Sequence, residues 1–278
     1  MAEQGKEMSF LEHLEELRWV LVRSAAVVVT TTVVVFFFIQ EIFQGFVMGP
    51  TRSGFITYRI LCTLGKRLGM GDDFCVADMN FELISNSPQQ EFMMSFSIAF
   101  TFGLIIASPV IFWQLWRFVA PGLKDKERNA VSGIVVFVIL LFLLGAAFGY
   151  WVLAPMSFQF FSGYSLSPSI QKLWTLDSYV GILNSFLLWT GVAFELPVVM
   201  LLLARIGIVG PAFLRQYRKH AFVVILIVAA IITPPDVVSQ ILVSLPLLLL
   251  YEISILLAAR AERLRLDPLP PTTTGASR

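Results

Sequence analysis

Charged side chains are scarce in this 278-residue sequence, of which 14% is Asp, Glu, Lys or Arg and 57% is hydrophobic. With a mean hydropathy of +0.79, so few charges exclude an ordinary soluble domain. The apolar runs are long and unbroken rather than alternating, which argues against a transmembrane barrel and favours membrane-spanning helices. The sequence therefore predicts an all-α integral membrane protein.

Cysteine and histidine are also rare, with two residues of each. Two cysteines, Cys62 and Cys75, exclude a disulfide-dense scaffold and a four-cysteine metal cluster. The histidines form no H-E-x-x-H motif, and no glycine-rich loop ends in Gly-Lys-Ser/Thr, so neither a zinc hydrolase nor a P-loop ATPase is indicated. We therefore expect no enzyme activity, no metal site and no cofactor. The net charge of +1 gives no reason to expect a nucleic-acid partner.

Six apolar runs predict six membrane spans. They lie at about residues 20–39, 92–116, 130–154, 178–204, 219–233 and 237–259. The fifth is short, because its apolar core would cover about 18 Å as a helix, against roughly 30 Å for a hydrocarbon core. We interpret it as one arm of a helical hairpin, since the turn Thr233-Pro234-Pro235-Asp236 follows it and Asp236 can cap the last helix.

Basic residues predict the orientation in the membrane. Of the 20 Lys and Arg residues, 15 lie in the N-terminal segment, the tail and the loops after the second and fourth spans, which places both termini in the cytoplasm. The extended loop 40–90 is then external. A disulfide between its two cysteines is allowed there, and the sequence leaves open whether it forms. The tail at 260–278 is expected to be disordered, because it becomes rich in Pro, Thr and Gly.

Residues 1–19 predict a cytoplasmic amphipathic helix on the membrane surface, because apolar residues recur at helical spacing behind a capping box of Ser9 and Glu12. Its polar face is acidic, where a segment beside a first span usually carries Lys and Arg. The glutamates are Glu3, Glu7, Glu12, Glu15 and Glu16. Carboxylates can prefer guanidinium over ammonium by accepting two parallel hydrogen bonds. The segment is therefore either a binding surface for an arginine-bearing partner or a solvated helix face.

One carboxylic acid, Glu195, lies inside the fourth apolar run. A charge at such depth costs at least about 2.5 kcal/mol, so we expect the side chain to face a groove, a wet cavity or a partner helix. Pro197 lacks an N–H and frees a backbone carbonyl on the same turn. This pattern predicts a polar docking or proton-sensing site. The alternative is a neutral carboxyl that is hydrogen-bonded inside the bundle.

Six short motifs occur in order across nearly the whole chain. They are His13-Leu14-Glu15-Glu16-Leu17-Arg18, Ala107-Ser108-Pro109-Val110, Phe118-x-x-Pro121-Gly-Leu123 with Glu127-Arg128 after it, Phe194-Glu195-x-Pro197, Thr233-Pro234-Pro235-Asp236-x-x-Ser239-Gln240 and Tyr251-Glu252-Ile253. Together they resemble the TatC family, the six-helix receptor subunit of the twin-arginine protein translocase. The chain departs from that pattern in its longer first external loop and in Trp19 and Val20, which follow Arg18 where a second basic residue is common.

The resemblance implies a core subunit of a translocase that exports folded proteins across the bacterial cytoplasmic membrane, driven by the proton-motive force. The implied binding residues for twin-arginine signal peptides are Glu16, Glu127, Phe118, Arg18 and Glu15. The implied intramembrane contacts for single-span TatA-like and TatB-like helices are Glu195, Pro197, Thr233 and Gln240. Pro121 and Asp236 would shape turns, and the assembled complex is expected to hold several copies of the chain in the lipid bilayer.

Two other functions are consistent with parts of the sequence. Glu195 could be the proton relay of a proton-coupled small-solute transporter, although that fold requires paired broken helices in two related halves, and no such repeat is visible. A purely structural membrane scaffold is the third interpretation, and the acidic N-terminal face argues against it. For Thr233 and Gln240, capping of the turn between the last two helices is the alternative to partner binding.

Overall fold

The computed structural model describes residues 10–69, 75, 82–119, 131–167, 173–234 and 236–266. The chain divides into two units, at residues 1–191 and 192–278. Both units are built from helices, and the first also holds a pair of two-residue strands.

Long helices alternate with short ones in the first unit. In chain order its elements are α1 (Phe10–Phe37), α2 (Ile39–Ile42), a first π-helical turn (Phe43–Val47), a 3-10 turn (Gly49–Thr51), α3 (Ile56–Arg67), β1 (Leu83–Ile84), α4 (Pro88–Val119), α5 (Val131–Phe148), a second π-helical turn (Gly149–Leu153), α6 (Ala154–Gly163), β2 (Trp174–Thr175) and α7 (Leu176–Phe194). Strand β1 pairs in parallel with β2, with Leu83 opposite Trp174. The segment 40–90, expected to be one extended loop, therefore contains helices and a strand.

In the second unit, the end of α7 is followed by α8 (Leu196–Ile206), α9 (Pro211–Gln216), α10 (Arg218–Ile232) and α11 (Val237–Leu266). Helix α11 packs against α8, α9 and α10. Gly207 ends α8 in the left-handed conformation, with φ of 87°, which glycine adopts without a steric penalty. Because α11 runs to Leu266, the segment expected to be a disordered tail begins as helix, and residues 267–278 lie outside the described part of the chain.

Five helical stretches in the described part of the chain are long and apolar enough to cross a membrane. They are Glu12–Phe37, Pro88–Phe118, Gly133–Gly163, Leu176–Ile206 and Val237–Arg260. They correspond to five of the six predicted spans. The sixth predicted span, at about 219–233, corresponds to α10, which has 15 residues and is about 22 Å long by the usual helical rise. A sixth span is therefore not confirmed by length, and the chain is a multi-pass membrane protein with several apolar helices.

The N-terminal segment is not a separate surface helix among the described residues. From Phe10 to Phe37 the backbone forms one continuous helix, α1, with no break near residue 19. The predicted amphipathic helix is therefore not confirmed, because its described part forms the first turns of the first long apolar helix.

Prolines remove backbone hydrogen bonds inside the long helices, and hydroxyl groups donate to the freed carbonyls. In α4, Pro109 cannot donate to the carbonyl four residues earlier, and the Ser108 hydroxyl donates to that carbonyl at 2.8 Å. In α6, Pro155 cannot donate to the carbonyl of Trp151, and the hydroxyl of Thr57 in α3 donates to it instead. The third apolar stretch therefore changes from α5 to α6 through a π-helical turn at the place where α3 contacts it.

Candidate functional site

The first turns of α1 lie against the end of α4. The imidazole of His13 stacks on the ring of Phe118, with ring centroids 4.2 Å apart and planes within 14° of parallel. These residues are 105 positions apart, so hydropathy alone gave no sign of the contact. Sequence reasoning placed His13 in a motif and on the polar face of the N-terminal helix, but not among the site residues. His13 lies three residues before Glu16, which places both on one helix face, and this spacing could have indicated that His13 belongs to the same site.

Glu16 is half-buried on this face of α1. Its Oε2 atom is buried and accepts no hydrogen bond from the described residues. Glu15 and Arg18 are exposed beside it. Of the other predicted signal-binding and turn residues, Glu127 and Pro121 lie outside the described residues. The structure therefore brings Glu16, His13 and Phe118 to one end of α1 and α4.

Glu195 lies at a break between two helices rather than inside one. Its N–H donates to the carbonyl of Val192 at 3.1 Å, and its own carbonyl accepts from Val198 and Val199 at 3.0 and 3.1 Å. The unbroken helix expected over 178–204 is therefore interrupted, and Pro197 in the first turn of α8 is the physical reason. The residue as a whole is half-buried, and both of its carboxyl oxygens are buried. It lies about 16 Å along the helix from the Ile206 end.

The turn between α10 and α11 uses its polar groups inside the chain. Thr233 donates to the carbonyl of Ala229 at 2.9 Å, and the Gln240 amide donates to the carbonyl of Leu226 in α10 at 3.2 Å. Asp236 caps α11, because its Oδ1 accepts the backbone N–H of Ser239 at 2.6 Å. These contacts favour turn capping for Thr233 and Gln240 over the partner-helix role that the resemblance implies.

Three buried tyrosines hold the irregular segment after α2, a feature that sequence reasoning missed. The hydroxyls of Tyr58, Tyr150 and Tyr179 donate to the carbonyl oxygens of Pro50, Phe46 and Val47 at 2.9, 2.8 and 2.5 Å. The three tyrosines come from α3, the second π-helical turn and α7. Cys62 of α3 is bonded in a disulfide to Cys75, 13 residues later in the chain. The contacts join residues up to 132 positions apart, so no local sequence pattern predicts them.

Tyr58 offers a stability test of this arrangement. Its hydroxyl lies 2.9 Å from the carbonyls of both Pro50 and Pro155, and burial raises its pKa well above the ordinary value. We expect Tyr58→Phe to cost about 1 to 2 kcal/mol at neutral pH, because it leaves buried carbonyls without their donor. A raised folded-state pKa means that this contribution is full below about pH 10, where unfolded tyrosine ionises, and is lost as pH rises through the folded-state pKa.

The measurement is the unfolding of wild type and Tyr58→Phe in detergent at pH 7 to 11. Tyr164→Phe, at an exposed tyrosine outside this cluster, is the matched control and should unfold like the wild type throughout. A wild-type advantage that persists unchanged to the highest pH would contradict the buried, protonated hydroxyl.

Comparison with known proteins gives one consistent family. The family model for the Sec-independent protein translocase protein (TatC) matches residues 12–246. The chain is 34% identical over 256 residues to the TatC protein of Blattabacterium sp. subsp. Periplaneta americana, covering 92% of this chain and 96% of that protein. It is 35% identical over 256 residues to the TatC protein of Desulforapulum autotrophicum, covering 92% and 86%. The crystal structure of the twin arginine translocase receptor TatC matches with a TM-score of 0.68 and 32% identity, over 91% of this chain and 100% of that one.

Proposed function

This chain belongs to the TatC family of Sec-independent protein translocase proteins, and we propose that it is the subunit that binds the twin-arginine signal peptides of folded cargo. The binding surface is the cytoplasmic end of α1 and α4. No catalytic step is part of this function: the chain recognises a signal and assembles partners, and the proton-motive force across the membrane supplies the energy.

The observation that carries this proposal is the pairing of a half-buried carboxylate with an aromatic stack. Glu16 presents a buried oxygen that accepts no hydrogen bond from the described residues, and the His13–Phe118 stack lies on the same helix face. A guanidinium group binds carboxylates through two parallel hydrogen bonds and also stacks on aromatic faces. An ammonium group is less suited to both kinds of contact. The site is therefore suited to arginine over lysine.

Two adjacent arginines require a second acceptor. We assign this role to Glu127, nine residues beyond Phe118 in the chain. The exposed Glu15 adds negative charge at the edge of the surface, while Arg18 orients the neighbouring carboxylates. We keep for Pro121 the role of a turn residue that the family motif implies. The supporting argument is stoichiometric, since two carboxylates satisfy two guanidinium groups.

Binding of a signal peptide that carries Arg-Arg, compared with the same peptide carrying Lys-Lys, tests the proposal on the purified protein in detergent. We expect the wild type to prefer Arg-Arg. Glu16→Ala should weaken Arg-Arg binding by about 1.5 to 3 kcal/mol, the contribution of one hydrogen-bonded charged contact, and should erase the preference. Phe118→Leu keeps the apolar volume and removes the ring, so it should lower Arg-Arg affinity more than Lys-Lys affinity.

Glu41→Gln is the matched control, because it removes an exposed carboxylate just beyond the opposite end of α1. It should leave both affinities unchanged. Equal binding of the two peptides in every variant would mean that the acidic face is only solvated, and would strengthen the alternative in which Glu195 serves a small-solute transporter.

The same proposal includes partners and topology. We place single-span TatA-like and TatB-like helices at the break around Glu195 and Pro197, where a buried carboxyl group lies well inside an apolar stretch. Thr233 and Gln240 contribute to that surface indirectly, because their hydrogen bonds stabilise the hairpin of α10 and α11. We infer that the chain assembles with further copies of itself in the bacterial cytoplasmic membrane, with both termini in the cytoplasm and α10 as a short sixth span. A short span favours a locally thinned bilayer.

A further inference from the structure

A cleft of about 680 Å³ lies in the first unit, where α1 ends and where α4 and α7 begin. Its walls include Gln40 and Gln44 after α1, Glu91, Met94, Ser95 and Ile98 of α4, and Leu176 of α7. Because successive spans alternate in direction, the end of the first and the beginnings of the second and fourth lie at the same membrane boundary. The cleft is therefore located where a bilayer changes from acyl chains to headgroups.

The exposed residues that line the cleft are polar, and the buried ones are apolar. The polar residues Gln40, Gln44 and Glu91 are exposed at its mouth, whereas Ile98 and Leu176 are buried. On α4, Glu91, Met94 and Ile98 follow at helical spacing on one face. The distance from Glu91 to Ile98 along the helix is about 10 Å. A polar mouth above an apolar floor fits an amphiphile better than a wholly polar solute.

Charge at the mouth selects the headgroup. Glu91, the charged residue among those that line the cleft, is exposed at the start of α4. Arg52 is also at this edge, because its Nη2 donates to the backbone carbonyl of the lining residue Gln44 at 2.5 Å. This arrangement offers an anionic acceptor for an ammonium group and a guanidinium for a phosphate. It repels a headgroup that carries only negative charge.

Lipid is the occupant that the surroundings favour. Phe37, Phe92 and Met93 are all more than half exposed at the same end of α1 and α4, and such apolar faces contact acyl chains in a membrane protein. We propose that this cleft binds one phospholipid with an ammonium-bearing zwitterionic headgroup of the ethanolamine type. The ammonium bonds to Glu91, the phosphate lies towards Arg52, and an acyl chain lies against Met94 and Ile98. This site is separate from the signal-peptide surface at the opposite end of α1.

The test uses the full chain in lipid nanodiscs that contain a small share of phosphatidylethanolamine with a photoreactive acyl chain, compared with phosphatidylglycerol carrying the same chain. We expect ethanolamine lipid to label the α4 peptide that contains Met94, and to do so about threefold more than the glycerol lipid, as for one partly exposed ion pair. Glu91→Gln should remove that preference. Ser95→Phe, which fills the cleft, should lower labelling by both lipids.

Two controls keep the result specific. Glu41→Gln removes a charge at the same end of the bundle from a residue that does not line the cleft, and Met93→Phe adds volume on an exposed face of α4. Both should label like the wild type. Equal labelling by the two lipids in the wild type, or labelling that Ser95→Phe and Met93→Phe reduce equally, would overturn the proposal.

Discussion

Gly149→Ala is expected to lower the stability of the first unit by about 3 kcal/mol, from overpacking together with a disturbed buried hydrogen bond. A Cβ atom at Gly149 would lie 2.5 Å from the carbonyl oxygen of Phe186 and 2.6 Å from Oγ1 of Thr190, both in α7. Backbone atoms of a packed helix cannot move aside cheaply. The second π-helical turn would therefore have to separate from α7.

The Thr190 hydroxyl adds to the expected loss. It is buried and donates to the carbonyl of Gly145 at 2.8 Å, with the carbonyl of Phe186 as a second acceptor. It thereby bridges α5 and α7. A methyl group at Gly149 displaces this hydroxyl, so the substitution both creates a clash and leaves polar atoms without partners.

Titration of the detergent-solubilised protein with SDS, followed by tryptophan fluorescence, measures the change. Gly181→Ala is the matched control, because a Cβ at this exposed position in α7 meets no atom within 4 Å. It should be neutral or stabilise the helix by up to about 1 kcal/mol, the usual gain from Gly to Ala. Wild-type behaviour of Gly149→Ala would show that the contact between the π-helical turn and α7 is not as close as described.

Local sequence patterns predicted the long helices well, because a hydrophobic run of span length has few alternatives in a membrane. Five of the six expected spans appear as helices of sufficient length and hydropathy. The boundaries were less accurate: α4 begins at Pro88, before the apolar run itself, and α11 continues to Leu266. Polar residues at helix ends extend a helix by capping and helix propensity, which hydropathy does not measure.

The breaks and the contacts of the candidate site depended on information that is distant in the chain. The interruption at Glu195 has a local signal in Pro197, but the π-helical turn before Pro155 also depends on a hydroxyl from Thr57, 94 residues away. The His13–Phe118 stack likewise joins two motifs that the sequence shows only separately. Glu16 and Phe118 could be selected as site residues from their motifs, whereas their shared surface required the packing of α1 on α4.

Glu195→Lys is expected to abolish assembly with the single-span partners and export of cargo, whereas Glu195→Gln should preserve both. The residue lies at the break between α7 and α8, next to the buried side chains of Phe194 and Pro197. A glutamine keeps the size and hydrogen-bonding atoms of a neutral carboxyl. A lysine introduces a cation at a depth where insertion costs about 2.5 to 3.5 kcal/mol. Its long side chain would also extend into the space that we assign to the partner helix.

Crosslinking of co-expressed partners to the chain and export of a twin-arginine reporter measure the two outcomes separately. Trp189→Lys is the matched control: it places the same charge six residues earlier, within α7, on a side chain that is 55% exposed, so it carries a similar insertion cost outside the break. If both lysine variants fail equally, the loss reflects membrane insertion rather than the Glu195 position. If Glu195→Gln fails as completely as Glu195→Lys, the ionised carboxylate is itself required, and the break must hold it charged against a polar group of the partner.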